Sequence, residues 1–74
     1  MTWYERLQSL RSDHDLTEAQ VGALIGVAQS SYSDYETGTT VIPYERLVRL
    51  AQFYDVSMDY ISGASNVRKP FEAL

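Results

Sequence analysis

The chain contains no cysteine, so disulfide bonds and thiolate metal sites are both excluded. Only 2 prolines and 4 glycines interrupt its 74 residues, of which 45% are hydrophobic, and such a composition folds rather than remaining disordered. No apolar run approaches the roughly 20 residues of a membrane span, and no basic and apolar signal segment opens the sequence. We therefore expect one small domain, held together by packing alone, in the cytoplasm and away from membranes.

Basic residues are also scarce, and they are unevenly distributed. Six Lys and Arg stand against 10 Asp and Glu, which gives a net charge of -4. Residues 12–45 contain no Lys or Arg, but they contain the carboxylates of Asp13, Asp15, Glu18, Asp34, Glu36 and Glu45. This balance argues against a polyanionic partner, because Lys and Arg provide the counterion release on which non-specific nucleic-acid affinity depends.

Two capping signals mark the first two helices. Thr2 is followed three residues later by Glu5, and Thr17 is followed at the same spacing by Gln20, which is the pattern of a capping box. A first helix is therefore predicted to begin after Thr2, and a second to begin at residue 17 or 18. Gly22, which is unfavourable inside a helix, indicates a close approach between helices.

The apolar residues of the first helix recur at helical spacing. Trp3, Leu7 and Leu10 share one face, so the polar residues between them are expected to face water. These polar residues are Arg6, Gln8 and Ser9.

Turn and cap residues divide the rest of the chain into three further helices. A third helix is predicted over 29–36, with Gly38 in a left-handed conformation closing it. Pro43 suits the first position of a fourth helix, which is predicted to end near Asp55. Ser57 is placed to cap a short fifth helix. No strand pattern is present, which indicates an all-α fold.

A tight Gly-containing turn between the second and third helices is the helix-turn-helix arrangement, whose second helix can enter a DNA major groove. A more specific likeness is carried by Arg6-Leu7-x-x-Leu10-Arg11, Leu16-Thr17, Ile25-Gly26-Val27, Gln29-Ser30, Tyr35-Glu36-x-Gly38, Pro43, Leu47-x-x-Leu50-Ala51 and Val56-Ser57-x-Asp59-Tyr60-Ile61-x-Gly63. Over residues 4–63 this pattern resembles the Cro and phage-repressor type helix-turn-helix family, also called the XRE family. The resemblance implies a five-helix, lambda-repressor-like domain over 1–63 and a short C-terminal tail over 64–74.

The resemblance also implies a function. It is that of a sequence-specific, repressor-like transcriptional regulator that binds a pseudo-palindromic operator in double-stranded DNA as a homodimer. The sequence itself lacks a phosphate-binding glycine loop, a nucleophile motif and a His-based zinc motif, so no catalysis, metal or cofactor is expected. The family's recognition helix corresponds to residues 29–36, and the DNA contacts carried over by position are Thr17, Glu18, Gln29, Ser30, Ser31, Ser33 and Asp34. Gln29 is the best candidate for base reading, since its amide can pair with adenine N6 and N7.

The resemblance also implies one structural ion pair, and the sequence departs from the family pattern at two positions. In phage repressors an Arg late in the first helix pairs with the Glu that closes the recognition helix, and Arg11 and Glu36 hold those positions. The family's Gln, which contacts a phosphate, is replaced by Glu18, and the Ser that often caps the recognition helix is replaced by Ala28. The carboxylate of Glu18 is expected to repel DNA, and the missing cap at Ala28 is expected to lower the stability of the recognition helix.

Three apolar residues are candidates for a dimer contact. Val41 and Ile42 lie in an expected loop. Phe53 lies outside the apolar stripe of the fourth helix, which is formed by Leu47, Leu50, Ala51 and Tyr54. Exposed apolar clusters often mark interfaces. The alternative is that one of the two loop residues fills the core beneath the loop.

An alternative function follows from the charge distribution. The chain would then be a protein-interaction module, antirepressor-like or a scaffold, that kept the fold but lost DNA affinity. Its acidic face would meet a basic protein partner.

Overall fold

The computed structural model describes residues 1–72, which form helices and loops and no strand. The helices are α1 (Trp3–Asp13), α2 (Glu18–Leu24), α3 (Gln29–Glu36), α4 (Tyr44–Tyr54) and α5 (Met58–Ile61). Within this part of the chain the predicted all-α, five-helix architecture is confirmed.

The predicted capping boxes start α1 and α2. The Thr2 hydroxyl accepts a hydrogen bond from the Glu5 backbone N–H at 3.2 Å, and the Glu5 carboxylate accepts one from the Thr2 N–H at 3.0 Å. Thr17 and Gln20 make the same reciprocal pair at 3.1 and 2.8 Å. Each box gives partners to backbone N–H groups that would otherwise lack them at a helix start.

The ends of α4 and α5 are also set locally. Pro43 is the N-cap of α4 rather than its first residue, so the helix begins one residue later than predicted. Asp55 caps the C-terminus of α4 with a left-handed φ of 53°. The Ser57 hydroxyl accepts a hydrogen bond from the Tyr60 N–H at 3.1 Å and caps α5 as predicted.

The core is formed by buried apolar residues from all parts of the fold. They are Leu7, Leu10, Val21, Ile25, Tyr32, Tyr35, Ile42, Leu50, Ala51, Tyr54, Val56 and Ile61. Within residues 1–72, no helix has the length and apolar character needed to cross a membrane.

Gly22 allows α2 and α3 to approach closely. A Cβ at this position would lie 2.9 Å from the Val27 carbonyl oxygen and 3.5 Å from the Tyr32 Cβ. The Val27 N–H donates to the Gly22 carbonyl at 2.9 Å, so the turn folds directly back on α2. The close approach expected from the sequence is confirmed.

Arg6 is buried, and the prediction that it faces water is wrong. Its side chain is only 3% exposed, and the guanidinium carbon lies 3.8 Å from the centre of the Tyr60 ring. Its Nη2 donates to the Asn66 Oδ1 at 2.8 Å. The cause is a long-range contact, since the segment after α5 folds back over α1.

Residues 64–72 are packed against the helices. The Lys69 carbonyl accepts a hydrogen bond from the Ser57 N–H at 2.8 Å, and the Asp55 carboxylate accepts one from the Phe71 N–H at 3.1 Å. The Phe71 side chain also contacts the core. The last two residues of the predicted tail, 73 and 74, lie outside the described residues.

Candidate nucleic-acid interface

α3 has one face inside the protein and one face in solvent. Tyr32, Tyr35 and Glu36 are buried, with 0%, 5% and 3% of their surface exposed. The opposite face carries small polar side chains, of which Gln29, Ser30, Ser31 and Asp34 are exposed and Ser33 is half-buried. Within residues 1–72, side-chain hydrogen bonds from α3 involve only Tyr35 and Glu36. The exposed side chains are therefore free to bind another molecule.

A bidentate ion pair fixes the end of α3 to α1. Arg11 Nε lies 2.6 Å from one Glu36 carboxylate oxygen, and Arg11 Nη2 lies 3.0 Å from the other. Arg11 Nη1 also donates to the Leu16 carbonyl at 3.1 Å. The Glu36 side chain is 4% exposed, and its hydrogen bonds raise the pKa of the Arg11 guanidinium. The pair joins the two positions that the family resemblance implied.

Two buried tyrosine hydroxyls lie near the Arg11–Glu36 ion pair. Burial raises the pKa of Tyr32 far above its ordinary value, and burial raises the pKa of Tyr54 to about 12. The nearby negative charge of Glu36 acts in the same direction. Both phenols are therefore neutral at physiological pH, and the buried charges near α3 are those of the ion pair.

The predicted contacts on α2 lie at its N-terminus. Thr17 is exposed, but its hydroxyl already accepts the capping hydrogen bond from Gln20. Glu18 is half-buried in the first turn. At the start of α3, Ala28 supplies no side-chain cap, so among residues 1–72 the first N–H groups of that helix have no side-chain partner.

The predicted dimer-contact residues fall into two groups. Val41 is 75% exposed and Phe53 is 46% exposed, so both offer apolar surface. Ile42 is only 6% exposed and belongs to the core beneath the loop, which removes it from the predicted contact. Tyr44, which the sequence did not single out, adds a side chain that is 65% exposed.

Sequence reasoning also missed a contact between α3 and α4. Arg46 Nη1 donates a hydrogen bond to the Tyr35 hydroxyl at 2.9 Å. No local pattern signals this contact, because the two residues lie on different helices and are joined by an irregular loop.

Comparison with known proteins identifies the family. A family model described as Helix-turn-helix matches residues 7–61. The chain therefore belongs to the helix-turn-helix family.

Individual relatives agree with this class. The chain is 46% identical over 66 residues to the uncharacterized HTH-type transcriptional regulator YobD of Bacillus subtilis, covering 89% of this chain and 59% of YobD. It is 36% identical over 59 residues to the transcriptional repressor RstR of cryptic phage CTXphi in Vibrio cholerae, covering 80% of this chain and 53% of RstR. The chain thus spans about half the length of the curated relatives that it matches.

A solved structure gives the same result for the fold. The P22 c2 repressor, crystallised with a synthetic operator, superimposes with a TM-score of 0.79 at 25% identity, over 88% of this chain and 98% of the chain in that structure. The predicted lambda-repressor-like fold is confirmed.

Proposed function

We propose that this chain is a repressor-like transcriptional regulator that places α3 in the major groove of its operator. The observation that carries the proposal is the division of α3 into two faces. Tyr32, Tyr35 and Glu36 hold the helix from inside, and its outside is covered by small polar side chains that make no hydrogen bond to any other described residue. Such a helix is held rigidly while its exposed face can read base edges, and a rigid support of this kind favours specific binding.

The solvent-facing side chains of α3 differ in the DNA groups with which they can form hydrogen bonds. Gln29 lies in the first turn, where helix-turn-helix proteins contact base edges, and its amide matches adenine N6 and N7. Ser30, Ser31 and Ser33 offer short hydroxyl groups that can bind a base or a phosphate. Asp34 can only accept hydrogen bonds, so in the groove it either accepts from cytosine N4 or repels a phosphate.

The N-terminus of α2 has a smaller role in this proposal. The Thr17 hydroxyl accepts the capping hydrogen bond from the Gln20 N–H. Thr17 can therefore contact a phosphate only through an uncharged hydrogen-bond donor. Glu18 brings a carboxylate to the same place and weakens the attraction. We therefore expect affinity to depend on hydrogen bonds and shape more than on charge.

The proposed complex contains two copies of the chain. A homodimer places two recognition helices about 34 Å apart on a pseudo-palindromic operator. The exposed side chains of Val41 and Phe53 support a contact between copies, because each would otherwise leave apolar surface in water. A DNA ligand places this activity in the cytoplasm, and the role is binding without catalysis, metal or cofactor.

A DNA selection at low and moderate salt tests the proposal. We expect recovery of a repeated motif, and we expect Gln29→Ala to cost about 1 to 3 kcal/mol on that motif while leaving non-specific binding unchanged. Gln52→Ala is the matched control, since Gln52 is exposed on α4. If the parent chain shows no sequence-dependent binding at low salt, the proposed function is wrong. The alternative function, a protein-interaction module, is not favoured by the relatives but would then become the leading hypothesis.

Substitution of Asp34 separates its two roles. If Asp34 accepts from a cytosine, Asp34→Asn loses preference at one position of the operator. If Asp34 only repels phosphate, Asp34→Asn tightens binding to every sequence. Glu18→Gln, which removes a charge outside α3, should tighten binding to every sequence in either case.

A further inference from the structure

Arg46 is held by the recognition helix. It lies in the first turn of α4, and its Nη1 donates to the hydroxyl of Tyr35 on α3 at 2.9 Å. Tyr35 is 5% exposed, whereas Arg46 is half-buried, so the guanidinium lies at the boundary between the core and solvent. The Tyr35 hydroxyl engages one of the several guanidinium N–H donors.

The other basic side chains near α1 and α3 are already occupied. Arg11 is bound on two nitrogens by the carboxylate of Glu36. Arg6 is 3% exposed beneath Tyr60.

The basic residues farther along the chain are not hydrogen-bonded to α3 in the described structure. Arg49, Arg68 and Lys69 are exposed, and none of them makes a hydrogen bond to α3 within residues 1–72. In this part of the chain, Arg46 is the basic side chain that touches α3 without an acidic partner.

We propose that Arg46 binds a DNA phosphate at the edge of the groove, with Tyr35 as its positioning residue. This inference rests on the proposed function. An α-helix with its side chains is about as wide as the major groove, roughly 10 to 12 Å, so a cation attached beside the helix meets the flanking phosphates rather than base edges. Because Tyr35 belongs to α3, docking of that helix brings the guanidinium with it.

The charge distribution makes this contact important. Residues 12–45, which include α2 and α3, contain no Lys or Arg. A guanidinium forms strong paired hydrogen bonds with phosphate oxygens, and one that is already oriented loses less side-chain freedom on binding. A single oriented arginine therefore has a large effect at a face that is otherwise acidic.

The salt dependence of DNA binding tests the phosphate contact. Arg46→Gln should weaken binding to the selected motif and to unrelated DNA by the same factor, and should make the slope of log K against log salt shallower by about 1. Arg49→Gln removes the same charge from the same helix at an exposed position, and should leave the slope unchanged. Arg46→Lys, which keeps the charge, should restore the slope.

A double-mutant cycle tests the role of Tyr35. Tyr35→Phe keeps the buried ring and removes the acceptor, so it should weaken binding to all sequences in the parent and have no effect in the Arg46→Gln background. A purely structural role would weaken binding equally in both backgrounds and would overturn the inference. Equal slopes for Arg46→Gln and Arg49→Gln would also overturn it.

The parent chain separates the two failures. If the parent keeps its sequence preference while these variants show no difference, only the Arg46 contact is wrong. If the parent has no preference, the proposed function itself fails.

Discussion

Removal of Arg11 should be among the most damaging single changes to this domain. Arg11→Ala leaves the Glu36 carboxylate, which is 4% exposed, without the two guanidinium hydrogen bonds at 2.6 and 3.0 Å. Breaking a buried ion pair typically costs about 3 to 5 kcal/mol, because the remaining charge is stranded. Arg11 itself is 22% exposed, so water can reach the vacated site, and we expect the lower end of this range.

This cost is large compared with the stability of the whole domain. At about 0.05 to 0.15 kcal/mol per residue, a chain of this length has a free energy of unfolding of only about 4 to 11 kcal/mol. With about 4 to 8 °C of melting temperature per kcal/mol for a domain of this size, a loss of about 3 kcal/mol lowers the melting temperature by at least about 12 °C.

Thermal and denaturant unfolding followed by circular dichroism measures this loss. Arg49→Ala is the control, since it removes an exposed arginine and should change the free energy of unfolding by less than about 0.5 kcal/mol. The double variant Arg11→Met with Glu36→Leu should recover much of the loss, because no charge remains buried. If Arg11→Ala melts within error of the parent, or if the double variant is less stable than Arg11→Ala, the reasoning is refuted.

Three further predictions concern stability. Gly22→Ala should destabilise the domain by about 1 to 3 kcal/mol in denaturant unfolding, because its Cβ would lie 2.9 Å from the Val27 carbonyl oxygen; a gain in stability would show that helix propensity outweighs this contact. The Thr2 backbone N–H lowers the pKa of Glu5 below 4.5, so the stability from this carboxylate is present above pH 4.5 and is lost as pH falls through the lower folded value. Below about pH 5, the melting temperature of Glu5→Gln should therefore depend less on pH than that of the parent, and identical curves of melting temperature against pH would contradict the assignment. Asn66→Ala should cost about 1 to 3 kcal/mol, because it removes the acceptor that lies 2.8 Å from buried Arg6; an unchanged melting temperature would show that the segment after α5 does not stabilise the domain.

The helices could be predicted from the sequence because their signals are local. A Thr followed three residues later by Glu or Gln satisfies its own helix start, whatever the rest of the chain does. Gly38 was predicted to close the third helix in a left-handed conformation, and its φ is 75°.

The misses have a different physical origin. Arg6 was predicted to face water because helical periodicity considers only α1, whereas its partner Asn66 lies 60 residues further along the chain. Val41 and Ile42 are adjacent apolar residues in a loop, where no period indicates which of them enters the core. The same holds for the contact of Arg46, which depends on how α4 packs beside α3.

The two faces of α3 place different constraints on how this domain can change over generations. The inner residues are packed against or paired with other parts of the fold, so replacing Tyr32 or Glu36 alone lowers the stability of the domain. Substitutions at exposed positions such as Gln29, Ser30 and Asp34 usually change stability by no more than about 0.5 kcal/mol. Under the proposed function, a new operator preference can therefore arise one residue at a time on an unchanged scaffold, and a lineage carrying this domain can acquire new target genes without first passing through unstable intermediates.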